Sequence, residues 1–93
     1  PVIFIEQVPF QPILDGRYED AIIAETFRRY MMGEGDDWPL LLPMVKSAVR
    51  CMDLAQEQLS SRFDLNIKRF TVSGASKRGW TTWLTSAVDS RVD

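Results

Sequence analysis

The chain opens on Pro-Val-Ile-Phe-Ile, a run with no polar alternation. Unbroken β-branched and aromatic residues are the pattern of a strand covered on both faces, as in a parallel sheet. Pro9 and Pro12 remove backbone donors, so this strand is expected to end by about Val8, with a loop running to Asp15. The period then changes. Ile22, Ile23, Thr26, Phe27, Tyr30 and Met31 recur at intervals of three and four, which predicts a helix from about Arg17 to Met32 with Gly33 as its stop. Gly33 to Asp37 is a turn-rich acidic stretch in which Asp36 or Asp37 is placed to cap the next helix. A second stripe, Val45, Ala48, Met52, Ala55 and Leu59, predicts that helix from about Leu40 to Ser60, with Lys46, Arg50, Asp53, Gln56 and Glu57 on its wet side. Ser60-Ser61 reads as its break.

Ile67 to Val72 is rich in β-formers and predicts a short second strand ending at Ser73-Gly74. Beyond it, Trp80, Trp83, Leu84, Ala87 and Val88 fall on one face of a helix from Lys77 to Val88, and Asp89 to Asp93 reads as the exit toward a further strand. The order strand, helix, helix, strand, tight turn, helix, with long connections between the strands, predicts parallel pairing and an α/β class. Two strands do not make a self-sufficient sheet. Residues 1–93 are therefore expected to form one partial domain, a piece of a larger α/β sheet that begins inside a buried strand.

Composition narrows the chemistry. Of 93 residues, 45% are hydrophobic and 26% charged, which is a globular profile. Eleven basic against 13 acidic residues give a net charge of −2, and Arg28-Arg29 and Lys68-Arg69 are only pairs, so no nucleic-acid footprint is present. There is no histidine and a single cysteine, which excludes histidine-bearing metal sites, an internal disulfide and a histidine base supplied by this segment. No metal or other cofactor is expected. No apolar run approaches the roughly 20 residues of a membrane span, and the amino end lacks the basic region and cleavage site of a signal peptide.

The segment with chemical content is Phe70-Thr-Val-Ser-Gly74-Ala-Ser76-Lys-Arg-Gly79, a strand turning into a helix with Ser76 between small residues. A serine nucleophile needs such a place: a sharp turn at the end of a strand, with the hydroxyl exposed and the following amide aimed at the developing oxyanion. Gly74 and Gly79 would let strand and helix backbones pass closely. The glycine expected two residues after the serine is displaced by one, since Arg78 stands there. Three plainer readings stay open: Ser76 as a helix N-cap, the Gly74 to Gly79 spacing as half of a phosphate loop, and an ordinary strand-to-helix turn.

Gln11-Pro12, Glu19 to Ala24, Trp38 to Arg50 and, above all, Gly74-Ala-Ser-Lys-Arg-Gly-Trp-Thr-Thr-Trp-Leu-Thr85 with Ala87-Val88-Asp89 resemble the PhoPQ-activated pathogenicity-related protein family. The likeness covers nearly the whole chain, against the central segment of much longer members. It implies an α/β-hydrolase-like fold and export from the cytoplasm. Its serine motif falls on Ser76 and is similar to the G-x-S-x-x-G motif of glucuronoyl esterases. The resemblance implies Ser76 as nucleophile, the Lys77 backbone amide as one oxyanion donor, and a second donor in Gln7 to Gln11 other than Pro9. The acid and histidine would lie beyond Asp93, which leaves this segment inactive alone toward an ester or other small-molecule substrate.

The competing expectation is an exported interaction or signalling protein that keeps the scaffold without using the site, because fold alone never certifies function. Some eukaryotic relatives are regarded as secreted regulators of proliferation, which supports it. A third is a segment with no activity of its own. Among other residues, Arg78 is a candidate for binding an anionic substrate or for packing and pairing with a neighbour. Trp80 and Trp83 are expected in the core, Cys51 as a small buried apolar residue, and Glu34, Asp36 and Asp37 in a solvated turn. A chain exposing strand edges and helix faces is expected to associate with itself.

Overall fold

The computed structural model describes residues 1–93 and contains three helices, α1 (Asp20–Met31), α2 (Leu41–Phe63) and α3 (Lys77–Val88), with no strand. The expected α/β parallel-sheet fragment is thereby corrected: the helices form, the sheet does not. Pro1 to Ile5 has strand composition but no ladder partner, and its side chains stand in solvent, Phe4 at 83% exposure. A strand is a paired object, and β-propensity without a partner fixes nothing. Ile67 to Val72 fares little better. Phe70 alone forms an isolated parallel bridge to Val92, its N–H donating to the Arg91 carbonyl at 2.8 Å and its carbonyl accepting the Asp93 N–H at 2.9 Å.

The chain divides into two compact units, Pro1–Met44 and Val45–Asp93. In the first, Ile22, Leu40, Leu41 and Met44 are the buried apolar residues. α1 starts at Asp20 rather than Arg17, because Arg17 and Ile13 exchange backbone hydrogen bonds of 2.8 and 3.2 Å around the turn Leu14-Asp15-Gly16. Gly33, at φ 79°, stops the helix. The Glu34 N–H reaches the Arg29 carbonyl and the Gly33 N–H the Tyr30 carbonyl, the paired bonds of a Schellman end. Thr26, buried on α1, donates to the Ile23 carbonyl at 2.8 Å and accepts the Leu40 N–H at 3.1 Å, which anchors the approach to α2. α2 begins at Leu41, with Pro43 in its first turn where a missing donor costs nothing.

In the second unit the α2 stripe is as spaced in the sequence, with Met52 and Ala55 buried and Val45, Ala48 and Leu59 half-buried. Cys51 is also half-buried, with a free thiol. The Ser60-Ser61 pair does not break the helix. α2 continues to Phe63 and ends where Asp64 adopts φ 53° and its N–H donates to the Ser60 carbonyl. α3 carries the larger surprise. Its buried residues are Thr81 and Thr85, the latter at 0% exposure, while Trp80 and Trp83 face outward. The expected tryptophan core is corrected. Each buried threonine hydroxyl donates to the carbonyl four residues earlier, Thr81 to Lys77 at 3.0 Å and Thr85 to Thr81 at 2.8 Å, so burying them strands no polar group.

Candidate functional site

The turn before α3 is tight. Ser76 sits at φ 54°, ψ −122°, a region L-residues rarely occupy. The backbone closes around it through Arg78 N–H to Ala75 carbonyl at 3.0 Å and Trp80 N–H to Ser76 carbonyl at 3.1 Å. A Cβ placed on Gly74 would stand 2.7 Å from the Arg78 backbone, and one on Gly79 would stand 3.0 Å from the Gly74 carbonyl, so both glycines are required by close approach. The structure thus brings Gly74, Ser76, Lys77, Arg78 and Gly79 into one turn. Ser76 and Arg78 are exposed, Lys77 is the first residue of α3, and the Ser76 side chain makes no capping hydrogen bond. The N-cap alternative is therefore met in position but not in bonding.

The same backbone device occurs where no chemistry was expected. Glu19, before α1, has φ 49° and ψ −121°, and the Ala21 N–H donates to the Tyr18 carbonyl at 3.0 Å as Arg78 does to Ala75. Its support differs. The Gln11 side chain clamps Glu19 twice, donating to Oε1 at 2.9 Å and accepting the Glu19 N–H at 2.7 Å. The strained turn is a way of launching a helix in this chain, and it does not by itself mark Ser76 as reactive.

Two charged hubs hold the flanking structure. In the first unit Glu25, 7% exposed, takes a two-pronged contact from Arg28 at 2.8 and 2.9 Å, a third bond from Arg29 at 3.0 Å, and lies 3.6 Å from Arg17. The Arg28 bonds first, then the Arg29 bond, hold its carboxyl at about 2 against the opposing effect of burial. Arg29 also lies 4.6 Å over the Trp38 ring. Arg17 further donates to the Leu14 carbonyl.

In the second unit the signs are inverted. The Arg91 guanidinium binds Asp89 at 2.6 and 2.9 Å, Asp53 at 2.9 Å and the Gln56 carbonyl at 2.7 Å. Asp89 is held at about 2 by the Arg91 side chain first and its backbone N–H second; Asp53 is lowered by Arg91 and then Arg50, and Arg91 itself is raised, chiefly by Asp89. Gln56 also donates to the Ile67 carbonyl at 2.8 Å, and Arg69 pairs with Asp93. Neither hub stands out in the sequence. For Glu25 the signal is present in the Arg residues three and four positions later; for Arg91 only the nearby Asp89 hints at it. No group of three or more His, Cys, Asp or Glu side chains is placed to hold a metal ion, and no helix is long and apolar enough to cross a membrane.

Beyond the turn, α3 presents aromatic rings outward. Trp80 and Trp83 lie on the face of α3 opposite Thr81 and Thr85, and Trp83 is 80% exposed. The geometry defines a helical chain with an outward aromatic face on α3. The family model of the PhoPQ-activated pathogenicity-related protein matches residues 1–93, and the chain belongs to that family. It is 43% identical over 94 residues to the Autocrine proliferation repressor protein A of Dictyostelium discoideum, a match covering 95% of this chain. The chain spans 19% of that relative's length. No solved structure matches. These findings correct the expected hydrolase and its nucleophile elbow: the sheet on which such a serine is mounted is absent, and the curated relative is named a proliferation repressor, not a hydrolase.

Proposed function

We propose that this chain is an interaction segment of an exported regulatory protein and acts by binding. The observation that carries the reading is the face of α3, which buries threonines and presents Trp80 and Trp83 to solvent. Large aromatic residues held outward on a rigid helix are the usual anchors of a protein interface. The name of the Dictyostelium relative supports a regulatory role in growth, and the family resemblance supports export. Val2, Phe4, Phe10, Met31 and Met32 add to the uncovered apolar surface, so the reading includes association of the chain with itself.

The test is to add the purified chain, and its Trp83→Ala variant, to growing Dictyostelium discoideum cells and follow cell number. A longer doubling time with the wild type and none with a variant of unchanged helical circular dichroism supports the reading. Equal slowing by both, or no slowing by either, overturns it.

A further inference from the structure

The three residues enclosed by the Ile13–Arg17 backbone pair are all left-handed, Leu14 at φ 51°, Asp15 at φ 65° and Gly16 at φ 77°. Such residues normally occur singly, and a leucine there is strained. The turn also holds the one aspartate in the chain that is followed by glycine. Asp15 and Gly16 are both exposed, the Asp15 side chain at 90%. Arg17 Nη1 stands 3.7 Å from the Asp15 carboxylate, too far for a hydrogen bond, and donates to the Leu14 carbonyl instead. The Gly16 N–H has no acceptor, and a Cβ at Gly16 would meet nothing within 4 Å. Other aspartates are shielded. The amides after Asp20 and Asp64 are bound, Ala21 N–H to the Tyr18 carbonyl at 3.0 Å and Leu65 N–H to the Leu59 carbonyl at 3.3 Å. Asp89, which precedes the small Ser90, has its carboxylate held by Arg91 at 2.6 and 2.9 Å.

We infer that Asp15-Gly16 is a site of covalent self-modification, at which the main chain is rerouted through the aspartate side chain. The Gly16 nitrogen attacks Cγ of the protonated Asp15 carboxyl. An N–Cγ bond forms, and the amide hydrogen leaves with the carboxyl hydroxyl as water. Solvent water then opens the five-membered succinimide. Breaking the new N–Cγ bond restores aspartate. Breaking the bond from the nitrogen to the Asp15 carbonyl carbon leaves isoaspartate, with one methylene more in the backbone and the former α-carboxyl as its side chain. Glycine permits the attack because no side chain crowds its nitrogen. The extra methylene frees the turn from three consecutive left-handed residues. It also displaces Arg17, which lies 3.6 Å from Glu25, so the product loosens the ion cluster on α1.

The test is to incubate the chain in mildly acidic buffer, folded and in urea, and to follow the tryptic peptide Pro1–Arg17 by liquid chromatography and mass spectrometry. The folded chain is expected to accumulate a second form of this peptide, of unchanged mass but resistant to a protease that cuts before aspartate, through a transient form lighter by one water. Its rate is expected within about tenfold of the rate in urea, as for an exposed turn whose local opening costs little. Asp89, in the peptide Gly79–Arg91, is expected to convert in urea alone. Asp15→Glu, which cannot close the five-membered ring, is expected to leave Pro1–Arg17 as a single form. A folded chain that keeps Asp15 intact while the urea sample converts overturns the inference, as does a second form that persists in Asp15→Glu.

Discussion

α1 and α3 are both 12 residues long and both start from a residue at φ near 50° and ψ near −121°, yet they are stabilised in opposite ways. α1 agrees with the physics of an isolated helix: Asp20 lies in its first turn, Arg28 and Arg29 in its last, and it buries Ile22. α3 reverses each term, with cations at its start, no base at its end and tryptophans outside. The shared launch shows that the strained turn is a structural device. The contrast separates a helix whose terminal charges agree with its dipole from one whose first turn holds cations and whose tryptophans face outward.

The largest effect on that contrast is expected from acid, because both hubs rest on carboxylates held below their ordinary values. Glu25 is lowered from 4.5 to about 2 and Asp89 from 3.8 to about 2, so the stability each contributes is full above its ordinary value and is lost as pH falls toward 2. Thermal midpoints measured between pH 6 and 2 should fall steeply below about pH 4.5. Glu25→Gln should remove a large part of that slope, and an unchanged profile in that variant would assign the acid sensitivity elsewhere.

Ile22→Ala should cost about 2–5 kcal/mol by urea titration, since Ile22 is 1% exposed and a cavity remains. α3 has no apolar counterpart to lose, and Trp83→Ala should stay within about 0.5 kcal/mol. Gly74→Ala should cost about 1–3 kcal/mol, because its Cβ meets the Arg78 backbone and not a flexible side-chain end. The smallest effect distinguishes the two turns. Ser76→Gly should stabilise by about 1 kcal/mol as strain is relieved, whereas Glu19→Gly should gain less, because it also removes the side-chain half of the Gln11 clamp. An equal gain at both positions would show that the clamp contributes nothing.

The helices are legible in the sequence and their tertiary partners are not. Lys77 to Val88 is helical as its spacing predicts, and Met52 and Ala55 are buried on their stripe, because helical hydrogen bonds are local and need only the nearby chain. Pro1 to Ile5 and Ile67 to Val72 have the residue types of strands, but a strand depends on a neighbour that periodicity does not contain. The face of α3 misleads for a related reason. Apolarity points to Trp80 and Trp83, while the threonines, by bonding back to their own helix, become the residues that can be buried. At the candidate site the glycines and the turn are visible in the Gly74 to Gly79 spacing, and the outward aromatic face is not.

Gln56 has a consequence for the order of folding. Its single amide closes a loop of 11 residues to Ile67 and another of 35 to Arg91. By chain-closure entropy alone the longer loop costs about 1 kcal/mol more. The contact with Ile67 is thus favoured to form first, and once it has, the carbonyl end of the same side chain is already held in place when the Arg91 guanidinium arrives with Asp89. One glutamine on α2 thus ties the segment after its own helix and the carboxyl end of the chain to the same side chain, the second tie being the costlier in chain entropy.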